Sequence, residues 1–153
     1  MRLHAHGIAV DLPPGWEGRI YRRPEGDPTL HAANFPLPHR DGDFGSEATA
    51  RMRPGDMFVT ITEYRPGNGL EPGRGLFDAK AIPLPLEPRR FRRNTLLVAR
   101  PGQAGFQHFY TQNGRPFCLY AVLSLPRGGH AASAAPRVGA LNQVLGSVEI
   151  AKR

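Results

Sequence analysis

The 153-residue chain has one cysteine, Cys118, and only two lysines, Lys80 and Lys152. A single cysteine excludes an internal disulfide, so the fold must rest on apolar burial, and a reducing compartment suits it. A chain of this length can do that, since a domain of about 150 residues buries roughly 70% of the surface its unfolded form exposes. No apolar run approaches the roughly 20 residues that a membrane helix needs. The opening stretch "MRLHAHGIAVDLPPGW" lacks the apolar centre of a secretory signal. The expectation is a soluble cytoplasmic domain, one unit over residues 1–153, with no membrane contact.

Acidic residues are also few, and increasingly so along the chain. Met1–Ala50 holds five basic and seven acidic residues, Arg51–Arg100 ten and five, and Pro101–Arg153 five and one. The net charge of +7 therefore belongs to the middle and C-terminal parts, which should carry a basic surface. A GC-rich coding sequence explains arginine in place of lysine, but not the excess of base over acid. Sixteen prolines and eighteen glycines argue for short elements and many turns.

Ile8, Val10 and Leu12 alternate as a half-buried strand, ended by Pro13-Pro14-Gly15. "WEGRIYRR" from Trp16 reads as its hairpin partner, with Trp16 capping the core rather than lining a pocket. A weaker strand follows at Thr29–Pro38, then a short helix through Ala48, Ala50 and Met52, capped by Asp43 or Ser46. Asp56–Tyr64 is β-rich. Arg65–Pro88 is a long ordered loop or crossover, and Thr95–Val98 reads as a strand.

The strongest local signal is "AGFQHFYTQNGRPFCLYAVLSLP". Asn113-Gly114 is the preferred two-residue hairpin turn, because both central positions need positive φ. That register sets Tyr110 opposite Phe117 and His108 opposite Leu119 on one face, with Phe109 opposite Cys118 on the other. Apolar residues on both faces predict a central, doubly covered hairpin. A helix from Ala134 to about Leu145, capped by Ser133, presents Val138, Leu141 and Leu145 in one stripe. "SVEI" after it returns to the sheet.

The chain thus opens with Gly7, Ile8, Val10, Leu12, Pro13, Gly15 and Trp16. It closes with Gly114, Arg115, Phe117, Val138, Leu141, Leu145 and Ser147. In these two parts, its first fifth and last third, it resembles the PsbP-like superfamily, in particular the small bacterial PsbP/Mog-like domains. The resemblance implies an α+β fold, an antiparallel β-sheet flanked by helices in an α/β/α sandwich. Members include a photosystem extrinsic subunit, a binder of a nuclear-transport GTPase and chaperones of bacterial secretion effectors. They bind proteins and share no catalytic site, so the resemblance implies a non-enzymatic adaptor or chaperone-like module with a protein partner. Apart from the resemblance, a homodimer is a further partner arrangement open to a chain of this kind.

Three groups of residues carry candidate chemistry. Arg89, Arg90, Arg92 and Arg93 in "EPRRFRRN" could fork phosphates or carboxylates. The plainer account is a solvated strand end whose charge discourages edge pairing. Nucleic-acid binding would need aromatic platforms beside the arginines, and Phe91 alone is thin, so only non-specific binding is expected. His108 and Tyr110 are candidate ligand contacts on a sheet face, the basis of an alternative small-molecule-binding domain or small enzyme; a packed sheet histidine is the plainer account. The register keeps Cys118 on the opposite face, so no thiol–imidazole pair forms. His4 and His6 could share a strand face, but no further metal ligands have recognisable spacing. His31, His39 and His130 fall in loop-like contexts. No nucleophile-elbow, P-loop, dinucleotide or zinc-protease motif occurs. The sequence assigns no catalytic, cofactor or metal residue.

Overall fold

The computed structural model describes residues 1–153, except the side chain at position 131. It has mixed α+β structure with two antiparallel sheets. The small sheet joins β1 (Arg2–Ala5), β2 (Ile8–Asp11) and β8 (Glu149–Ile150) in the order β1-β2-β8. The large sheet has the order β3-β4-β5-β7-β6, from β3 (Glu17–Tyr21), β4 (Thr29–Ala33), β5 (Met57–Glu63), β6 (Gln103–Gln112) and β7 (Arg115–Ser124). No described helix is long and apolar enough to cross a membrane.

The alternation of the strands sorts their side chains into two layers. Leu30, Val59, Ile61, Leu119 and Ala121 point to one face of the large sheet. They form one core cluster with Ile8 and Val10 of β2 and with the buried stripe Val138, Leu141, Val144 and Leu145 of α2 (Ala135–Gly146). Trp16 packs against this cluster as a half-buried residue. On the opposite face Ala33 and Phe58 pack with Ala48 of α1 (Ser46–Ala50).

The hairpin register is the one the sequence predicts: Tyr110 faces Phe117, His108 faces Leu119 and Phe109 faces Cys118. Asn113 and Gly114 have φ of 52° and 76°. The hairpin is not central, however. β7 is interior and β6 is the outermost strand. The chain between β5 and β6 covers the β6 edge. Arg92 and Gly105 exchange two backbone hydrogen bonds of 2.9 Å, and Thr111 N–H donates to Ala79 O at 2.8 Å. Phe109 packs on Phe77 of this segment. A covered edge thus produces the two apolar faces that the sequence suggested belonged to an interior strand.

Four other expectations need correction. The strand after Trp16 pairs with β4, not with β2, whose partners are β1 and β8. His6, at φ 53° in the β1–β2 turn, is part of a tight hairpin that takes the edge of β2 first. Thr95–Val98 is not a strand. Arg93–Thr95 is a 3₁₀ turn, and Leu97 N–H donates to the Tyr120 hydroxyl at 2.9 Å rather than to a neighbouring backbone. The cap of α1 comes from Asp41, whose two oxygens accept Glu47 and Ala48 N–H at 2.9 Å, while Gly45 turns the chain at φ 71°. Ser133 does not cap α2; its hydroxyl donates to His130 O, and a 3₁₀ turn leads into the helix.

Candidate functional site

The arginines of "EPRRFRRN" lie on the segment that closes the β6 edge. Arg89 and Arg90 end a 3₁₀ turn (Pro88–Arg90), and Arg93 opens the next (Arg93–Thr95). They therefore do not alternate between strand faces. Phe91 is the residue this segment buries, against Phe106, and the four arginines are all exposed. Arg89 pairs with Glu87. Arg90 lies over the Phe106 ring, its guanidinium carbon 5.3 Å from the centroid. Among the described residues, Arg90, Arg92 and Arg93 have no carboxylate in salt-bridge range.

Apolar residues accompany them. Leu97 is 52% exposed and Val98 41%. Arg93 lines two depressions, one with Leu96 and Pro101, and a larger one of about 590 Å³ that reaches Met52, Leu125 and His130. The exposed arginines and the exposed Leu97 and Val98 thus share one segment, anchored through Arg92 to β6 and through Leu97 to Tyr120. Arginine is among the residues enriched at protein interfaces relative to the rest of the surface.

His108 and Tyr110 lie on the covered face of β6. Tyr110 has no exposure, so a ligand arriving from solvent does not touch it in this conformation. Its hydroxyl has no hydrogen-bond partner among the described residues, and burial pushes its pKa far up. The His108 ring stacks between Phe106 and Tyr110, with Nε2 2.9 Å from Ala81 O, a distance at which the ring N–H donates to that carbonyl. Cys118 is buried on the other face, with the Gln107 amide donating to its Sγ at 3.6 Å. Burial pushes its thiol up to about 12, so at neutral pH it is a protonated core residue rather than a nucleophile.

His4 is exposed on β1, and His6 is in the turn after it. Among the described residues no group of three His, Cys, Asp or Glu side chains converges to hold a metal.

A second site escaped the sequence reading. Arg19 of β3 lies opposite His31 of β4, and Tyr21 is two residues along on the same face. With residues 38–43 folded over them they border a cavity of about 440 Å³, lined also by Arg23, His39 and Arg40. Asp43 organises it. Its carbonyl is 2.9 Å from His31 Nε2 and accepts the Thr60 hydroxyl at 2.8 Å. Its carboxylate accepts the Tyr21 hydroxyl at 2.8 Å and Arg23 Nε at 3.3 Å. Burial lowers the pKa of His31, so the neutral ring prevails at neutral pH. The site was hidden because its two strands were not recognised as neighbours; with that pairing in hand, Arg19, Tyr21 and His31 fall together.

No family model, curated protein or solved structure matches this chain.

Proposed function

We propose that the chain is a non-enzymatic protein-binding module, of the adaptor or chaperone-like kind, that docks on an acidic protein surface. On this reading α1 and α2 are the flanking layers of a PsbP-like α/β/α sandwich. The observation that carries the proposal is the exposure of Leu97 and Val98 on the same segment as arginines without carboxylate partners, a segment fixed to the sheet. An arginine cluster alone would suit any polyanion. The uncovered aliphatic side chains distinguish a protein partner, because a phosphate backbone offers them nothing to bury against.

The burial of Tyr110 and the protonated thiol of Cys118 support a binding role over a catalytic one at the sheet face. A basic surface also binds nucleic acid weakly at low salt, through counterion release that needs no specificity. The test is therefore capture from nuclease-treated lysate at physiological salt, with mass spectrometry, alongside titration of a random oligonucleotide. The proposal expects a protein retained by wild type and lost from Arg92→Glu/Leu97→Asp, with no oligonucleotide binding at that salt. Sub-micromolar, sequence-selective nucleic-acid binding that disappears in the same variant would replace it with a nucleic-acid module.

A further inference from the structure

The geometry points to a second, separate site: the cavity between β3, β4 and residues 38–43 binds a small organic oxyanion, held by the guanidinium groups of Arg19, Arg23 and Arg40.

The cavity wall is fixed before any ligand arrives. Asp41 accepts Gly42, Glu47 and Ala48 N–H, which ties the loop to the start of α1. Arg19 Nη1 donates to the carbonyls of Pro38 and His39, both at 3.1 Å. Arg23 Nη2 donates to Asp41 O at 2.7 Å. These bonds use part of each guanidinium and hold it in place. They leave Nε and Nη2 of Arg19 and Nη1 of Arg23 without partners among the described residues. A preorganised donor loses little freedom on binding, which is where affinity for a small anion comes from.

The charge balance favours an anion. Both Asp41 oxygens already accept backbone N–H groups, and Asp43 is engaged by Tyr21 and Arg23. Arg19 and Arg40 have no carboxylate in salt-bridge range among the described residues. Guanidinium forks match the spacing of oxygens in a carboxylate or a phosphate. The volume exceeds that of a bare inorganic ion and lies at the small end of ligand sites, so the anion has an organic body.

The experiment is a titration of the full chain at physiological salt, followed by amide chemical shifts in ¹H–¹⁵N spectra. The probes are glycerol 3-phosphate and malate. The expected result is saturable shifts confined to β3, β4 and residues 38–43 with at least one probe. Saturation by the phosphate ester alone assigns a phosphate, and by malate alone a carboxylate. Arg40→Gln, at an exposed position, should weaken binding about tenfold without changing the melting temperature. The variant Arg92→Glu/Leu97→Asp should bind as wild type does, which separates this site from the protein-docking segment. No saturable shift with either probe at millimolar concentration overturns the inference, as do shifts centred on Arg89–Arg93 or undiminished binding by both Arg40→Gln and Arg19→Gln.

Discussion

Arg115 and Glu63 meet as a two-pronged buried ion pair, with Nη2 2.6 Å from Oε1 and Nε 3.1 Å from Oε2. Their side chains are 4% and 0% exposed. The same guanidinium donates to His6 O and Ala151 O, both at 3.0 Å, which places one cation at the junction of the large sheet, the β1–β2 turn and the end of β8. Arg153 adds a second cation to Glu63 from the solvent side.

Removing Arg115 leaves a carboxylate with only a partly exposed partner. Arg115→Met should therefore destabilise the domain by about 3 kcal/mol in urea unfolding, the lower end for breaking a buried pair. Adding Glu63→Leu should recover part of that loss, because the stranded charge goes with it. A double variant less stable than Arg115→Met alone would show that Glu63 stabilises the fold without Arg115, through its pairing with Arg153.

Gly114 and Gly45 have nearly the same φ, 76° and 71°, but different surroundings. A Cβ on Gly114 meets nothing within 4 Å, whereas one on Gly45 would lie 2.2 Å from Phe58 Cζ. Gly114→Val should cost about 1–2 kcal/mol from backbone strain alone. Gly45→Ala adds a collision with a fully buried ring, so it should lower the melting temperature more than Gly114→Ala does. Equal shifts would mean that the loop over Phe58 yields freely.

Cys118 should be inert in the folded protein. Its thiol, pushed up to about 12 by burial, is almost wholly protonated at pH 8. Labelling by an aromatic disulfide reagent at that pH should proceed only as fast as the chain opens, and at once in denaturant. Rapid stoichiometric labelling of the native protein would contradict the placement of this residue.

His31 gives stability a pH dependence of known sign. Burial holds its folded pKa below the unfolded value of 6.5. Between those two values the unfolded chain binds more protons, so stability contributed by the neutral ring is present above 6.5 and declines as pH falls through it. Wild type should lose stability as pH falls below about 6.5, where the unfolded imidazole takes up its proton, and His31→Gln should show a shallower slope. Parallel slopes would place the titration elsewhere.

The legibility of this sequence varied with the range of the interactions involved. The Asn113-Gly114 hairpin was readable because two φ-positive residues and two alternating strands fix a register locally. The α2 stripe was readable because its period is internal to one helix. The partner of β3 was not, since a strand's neighbour is a long-range choice and His6-Gly7 did not advertise a hairpin as Asn-Gly does. That one missed pairing concealed the Arg19–His31 cavity. Thr95–Val98 looked like a strand by composition, but only the folded chain shows that Tyr120 takes the Leu97 N–H and that Leu97 and Val98 face solvent.

The central claim is that the segment carrying Arg89–Arg93, Leu97 and Val98 binds a protein. Its most direct measurement is the dissociation constant, at physiological salt, of the partner captured by wild type, repeated with Arg92→Glu/Leu97→Asp. Both positions are exposed, so folding should be unaffected. The account predicts affinity weakened at least about tenfold, or about 1.4 kcal/mol, with an unchanged melting temperature. Equal affinity of the two proteins, at equal stability, would contradict it.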